Sequence, residues 1–141
     1  MPLCAAGQFG TGASFGFSPA TRAEGVTPAA DPHLPQPLWF KDYAVDVEQA
    51  DPDSMLALYR AALAIRQESL TATRDTTAEQ VDMGDDVVAY TRAAVGGRVF
   101  TSITNFGNAP VALPDGSVVL ASGPLTPEGQ LPTDTSAWVI K

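Results

Sequence analysis

The chain is 141 residues long and carries 16 acidic against 8 basic side chains, a formal net charge of −8. That length suits one domain, or a small domain with an extended segment, and the acidic balance argues against nucleic acid or an anionic membrane surface as partner, because either calls for a basic patch. A single cysteine, Cys4, excludes an internal disulfide framework, and no apolar run approaches the ~20 residues needed to span a bilayer, so the expectation is a soluble, cytoplasmic protein.

Met1 to Ala6 lacks a positive leading region and a long apolar stretch, so it does not resemble a secretory signal, and Cys4 reads as an inert thiol. Gln8 to Phe17 (QFGTGASFGF) is a glycine-rich loop. It is not a phosphate cradle: no strand leads into it, no helix follows it, and the lysine such a cradle uses is missing. Pro28, Pro32, Pro35 and Pro37 then force extended or turn conformations, so residues 1–50 are expected to form an irregular arm. Its apolar part, Leu34 to Phe40 (LPQPLWF), offers Trp39 and Phe40 as anchors, either docked onto a larger scaffold or stacked on a sugar. His33 has no second histidine, cysteine or carboxylate cluster at ligand spacing, which leaves no metal site to build. Asp46 to Asp51 (DVEQAD) is an acidic lead-in.

Residues 51–70 (DPDSMLALYRAALAIRQESL) are expected to be one long helix. Asp51 can cap it, Pro52 fits the first helical position, and Asp53 complements the positive end of the dipole. Met55, Leu58, Tyr59, Ala62 and Ile65 recur at helical spacing, and Leu56, Leu63 and Leu70 widen the apolar arc to about half the circumference, beyond the ~100° of an ordinary surface helix. Arg66 falls near the middle of that arc. Either its stem lies on apolar surface with its head in water, or its guanidinium is pinned at a junction between layers by a carboxylate or carbonyls.

Residues 71–141 change character. Val87 to Thr91, Val99 to Phe106, Val111 to Leu113, Ser117 to Ala121 and Ala137 to Ile140 are short β-branched or aromatic runs, with Val81 to Met83 as a further candidate strand. Gly96-Gly97, Gly107-Asn108, Pro114-Asp115-Gly116 and Ser122-Gly123-Pro124 punctuate them. The connections are too short for parallel crossovers, so the expectation is an antiparallel meander or Greek-key sandwich, with Asp115-Gly116 closing a hairpin. Val99 to Phe106 has apolar residues on both faces, as a strand buried on both sides would. Tyr90, Phe100, Phe106 and Trp138 are expected to pack in the core rather than form a sugar platform. Asp85 and Asp86 are adjacent and cannot flank one scissile bond, so they read as turn residues. No Ser-His-Asp set, His-Cys ligand cluster or phosphate cradle can be assembled.

Taken in order, DPDSMLALYRAALAIR, GDDVVAYTR (Gly84 to Arg92), ITNF (Ile103 to Phe106) and LPTDTSAW (Leu131 to Trp138) closely resemble the carboxy-terminal end of α-glucosidases of the α-amylase superfamily. The resemblance is to the oligo-1,6-glucosidase and trehalose-synthase-like group of glycoside hydrolase family 13, and covers about Phe15 to Lys141. It implies a mixed α and β chain: an irregular arm at 1–50, the last helix of a TIM barrel at 51–70, and a small antiparallel β-sandwich, the C-terminal domain of the superfamily, at 71–141.

In such enzymes an aspartate nucleophile, a glutamate acid/base and a second aspartate sit at the C-terminal ends of the barrel strands. All three lie upstream of the matched stretch, and Met1 to Phe9 lacks the arginine motif that precedes it in the family. The resemblance therefore implies a fragment, from a truncated or frameshifted gene or a start assigned too far downstream. It would have no catalytic residue, cofactor or metal of its own, and its partner would be the upstream catalytic barrel. The enzyme's substrate class would be an α-glucoside oligosaccharide. The alternative is a non-catalytic sandwich that binds carbohydrate or packs against a partner through Trp39, Phe40 or an exposed strand aromatic, with Arg66 as a further interface candidate.

Overall fold

A computed structural model describes residues 38–70 and 77–141. Cys4, the loop Gln8 to Phe17, the prolines from Pro28 to Pro37, His33 and the polar link at 71–76 lie outside the described residues. The chain divides into two units, Met1–Arg60 and Ala61–Lys141, whose boundary falls within one helix.

Residues 38–50, expected to be irregular, are helical. A 3-10 turn covers Leu38–Tyr43 and a short helix, α1, covers Val45–Ala50. No proline falls between Pro37 and Pro52 to interrupt them, and Asp46 and Glu48 occupy the first turn of α1, where the helix dipole favours negative charge. The long helix, α2, spans Met55–Leu70. Its cap is Ser54 rather than Asp51: the Ser54 hydroxyl accepts from the Ala57 N–H at 3.1 Å and donates to the Glu48 carbonyl at 2.6 Å. The Asp51 carboxylate instead accepts from the Asp53 N–H at 2.9 Å, closing a local turn that leaves Pro52 outside the helix. An aspartate that can bond its own backbone two residues on competes with its role as a cap.

The second unit is built on one antiparallel sheet of five strands: β1 (Glu79–Val81), β2 (Val87–Ala93), β3 (Val99–Asn105), β4 (Ser117–Ala121) and β5 (Thr135–Ile140), in the order β1-β2-β3-β5-β4. Strands β2 and β3 form a hairpin closed by the Ala94 N–H donating to the Arg98 carbonyl at 2.8 Å. Gly96 and Gly97 both take positive φ in that turn, which is why two glycines stand there. On one face Val87, Ala89, Ile103, Ala137 and Val139 are buried with Leu131, and Val81, Met83, Val111, Leu113, Ala121 and Leu125 pack around them.

The unit is the small, β-sandwich-like antiparallel domain expected: a five-stranded sheet with chain between β3 and β5 packed across its core face, as a strap that forms the second layer. The run Val111 to Leu113 contributes only an isolated bridge, Val111 to Leu131. The strap is tied by Asn105, which is fully buried at the end of β3. Its side-chain amide donates to the carbonyls of Ala109 at 2.9 Å and Leu131 at 3.1 Å, and its carbonyl accepts from the Gly107 N–H at 2.9 Å. On the opposite face Phe100 packs edge-on against Trp138, ring centroids 5.2 Å apart, among Ala94, Ile140, Val119 and Leu70. Strand β3 is therefore buried on both sides, as its pattern implied, whereas Phe106 lies past its end and is exposed.

Asp115-Gly116 does not close the expected hairpin, because Ser117–Ala121 pairs with β5 instead. Gly116 has φ +145°, and a Cβ there would stand 2.7 Å from the Ile140 carbonyl oxygen and from a methyl of Val139. Glycine is present here to let β4 approach β5, not to turn one strand back on its neighbour.

Two substitutions test this. Asn105→Asp keeps the side chain's shape but removes both amide donors and buries a charge, so chemical denaturation should show a loss of roughly 3 kcal/mol or more. Gly116→Ala should cost about 1–3 kcal/mol through strain and steric overlap, while Gly123→Ala, where the nearest atom is 3.9 Å from the new Cβ, should stay within about 1 kcal/mol of the parent.

Candidate functional site

Of the three residues singled out from the sequence, Trp39 is exposed in the 3-10 turn, where it meets Tyr43 edge to face with ring centroids 5.8 Å apart. Tyr43 is itself exposed and was not singled out by sequence, because at the roughly three residues per turn of a 3-10 helix a four-residue spacing does not mark a shared face. Phe40 falls in the same turn, and its side chain is outside the described part. Arg66 is exposed on α2.

The apolar arc of α2 is not enclosed evenly. Ser69 is buried and Leu58, Ala62 and Ile65 are half-buried, along one edge of the arc. Along the other edge Met55, Tyr59 and Leu63 are 58%, 63% and 58% exposed, with Arg66 between them on the helical wheel. These three follow one another every four residues, the spacing of a helix contact line.

On the sheet face opposite the main core, pairing registers align Tyr90, Ser102 and Trp138 in one row across β2, β3 and β5, and Val88, Thr104 and Ser136 in the next. Tyr90 and Val88 are exposed, and the Thr104 and Ser136 hydroxyls bond at 2.8 Å. The aromatics expected in the core therefore divide: Phe100 is buried and Trp138 half-buried, but Tyr90 and Phe106 are on the surface. Tyr90 is exposed because its face of β2 lies away from the strap, something local alternation could not reveal.

Asp85 and Asp86 are exposed in the turn before β2. The Asp86 carbonyl accepts from the Phe106 N–H at 2.8 Å, so this turn sets the β2–β3 register. Every described carboxylate is exposed except that of Glu48, which is half-buried. Retaining glycoside hydrolysis needs two facing carboxylates ~5 Å apart, one kept protonated by apolar surroundings, and the exposed acids among the described residues do not have such surroundings. Among the described residues no cluster of His, Cys, Asp and Glu could hold a metal ion, and no helix is long and apolar enough to cross a membrane. The surfaces on offer can stack rings or bury apolar area; they do not form a proton-transfer pair.

No family model and no curated protein matches the chain. Solved structures do. Trehalulose synthase MutB from Pseudomonas mesoacidophila MX-45 is 25% identical, with a TM-score of 0.61 over 80% of this chain and 22% of the enzyme. A MutB mutant in complex with the substrate sucrose gives the same identity, coverage and TM-score, as does another from crystals soaked with trehalulose. The chain thus spans about a fifth of the length of the structures it matches. In both sequence and fold it is similar to trehalulose synthase, an enzyme of the α-amylase family of glycoside hydrolases, family 13, and is consistent with a C-terminal part of such an enzyme.

Proposed function

We propose that this chain is the carboxy-terminal part of an α-glucosidase of glycoside hydrolase family 13, working in the cytoplasm on α-linked glucosyl groups of small oligosaccharides. In this reading it supplies scaffold rather than chemistry. The observation that carries it is the likeness to trehalulose synthase over 80% of this chain but only 22% of that enzyme. The partner is the catalytic barrel that would hold the nucleophile and the acid/base, and the substrate class is an α-glucoside such as the sucrose bound by the MutB mutant. The exposure of the described acids supports a part that does no hydrolysis by itself.

A second reading, a non-catalytic module that binds carbohydrate, is favoured by the exposed Trp39–Tyr43 pair, since an aromatic face with nothing over it can stack on a sugar ring. Here Trp39 would be the stacking residue, with Phe40 beside it in sequence.

The purified chain incubated with sucrose, isomaltose and an aryl α-glucoside should release no glucose above the enzyme-free control. Release that disappears on Asp85→Asn or Asp86→Asn alone would overturn the scaffold reading. For the second reading, quenching of tryptophan fluorescence by maltooligosaccharides that is lost in Trp39→Ala and kept in the parent would favour the binding module.

A further inference from the structure

We propose that Asp115-Gly116 is a site of spontaneous covalent modification, where aspartate converts to isoaspartate and frees the edge of the sheet that begins there. The proposal stands apart from the family reading. It rests on an exposed carboxyl beside an unobstructed amide, and on how closely the next strand seats that amide's residue. Of the aspartates in the chain only Asp115 precedes a glycine, and neither Asn105 nor Asn108 does. The Asp115 side chain is 90% exposed and meets the exposed Lys141 ammonium at 3.2 Å, a pair too weak in water to lock its rotamer. Both Asp115 and Gly116 lie in an exposed bend before β4, outside the ladder to β5, whose first pair is Ser117 with Ile140.

The chemistry needs no partner but water. The Gly116 nitrogen attacks Cγ of Asp115 and an N–Cγ bond forms. The amide proton leaves with the carboxyl hydroxyl as water, and a succinimide ring closes. A side chain on the following residue would crowd this attack, and glycine has none. Water then adds to the main-chain carbonyl carbon of Asp115, and the bond from that carbon to the Gly116 nitrogen breaks. The chain now runs through Cγ, and the former main-chain carbonyl has become a free carboxylate. The water released in the first step is replaced in the second, so mass and charge are unchanged.

The altered backbone is longer by one carbon, about 1.5 Å. It leads directly into Gly116, which has φ +145° and lies so close to β5 that a Cβ on it would stand 2.7 Å from the Ile140 carbonyl oxygen. A residue seated that closely has no room to take up the added carbon in place, so the start of β4 moves off β5. β4 is the last strand of the sheet, and its ladder to β5 is already irregular between Val118 and Leu120. Isomerisation thus acts on a strand paired along one side.

The full chain, aged in warm, mildly alkaline buffer, should accept methyl groups from S-adenosylmethionine through an isoaspartyl carboxyl methyltransferase. The label should appear in the peptide containing Asp115 and not in those containing Asp85 or Asp134. Because an exposed bend opens at little cost, conversion should run within about tenfold of that in an unstructured peptide spanning residues 113–118. Asp115→Ser, at an exposed position, should abolish it. Asp115→Asn should hasten it, read as the mass gained when a side-chain amide becomes a carboxylate. In the isomerised protein, separated by chromatography, amide hydrogen exchange should quicken across Ser117–Ala121 and stay unchanged in the β2–β3 hairpin. Label spread evenly over the aspartates, or conversion slower than that limit, overturns the proposal. So does exchange in β4 that isomerisation leaves unchanged.

Discussion

The buried carboxamide of Asn105 is the constraint on which the second unit depends. A five-stranded antiparallel sheet with one oily face needs a cover, and among the described residues the segments between β3 and β5 supply it. The cover is irregular backbone, whose carbonyls and amides must find partners once they leave water. Asn105 satisfies three of them at once, on two segments far apart in sequence, Ala109 and Leu131. With Leu131 held there, its fully buried side chain fills the centre of the core beside Ile103 and Val139, and the bridge to Val111 follows. A side chain with both donors and an acceptor is needed; leucine would fill the space and leave the strap unsatisfied.

Strand order follows from the same cover. β5 enters between β3 and β4, so the chain from Phe106 to Asp134 carries both the strap and the edge strand β4 before the sheet is completed. Completion links Val99 to Lys141 by two backbone bonds, 2.8 and 2.9 Å, at the far end of β3 from Asn105. The exposed pair of Lys141 with Asp115, at 3.2 Å, adds little in water. What holds β4 is its backbone ladder to β5 and the close approach that Gly116 permits. The register shift between Val118 and Leu120 places Val119 beside the Phe100–Trp138 pair, giving the second face a small apolar cluster of its own.

The described residues expose several apolar surfaces. The described acids are nearly all on the surface, and the exposed apolar groups include a stripe on α2, the Trp39–Tyr43 pair and the Tyr90 row of the sheet. Apolar groups gathered along one helix edge differ from the scattered exposed residues of any protein surface, because together they gain from being covered. The likeness to one fifth of a much larger sugar-converting enzyme fits a part whose work is to pack.

The sequence by itself determined the long helix, most of the places where the chain turns and the antiparallel sense of the strands. Those are local properties: a periodicity of 3.6 or 2, a proline that cannot donate, a pair of glycines in a turn. Only tertiary structure decided that Ser54 caps α2 in place of Asp51, since the Ser54 hydroxyl also reaches the Glu48 carbonyl. Tertiary structure likewise decided that Gly116 serves close strand approach, that Tyr90 faces out, and that half of the apolar arc on α2 stays uncovered. Each of these turns on which distant backbone lies alongside, and a pattern of residue types carries no record of that until the strands have paired.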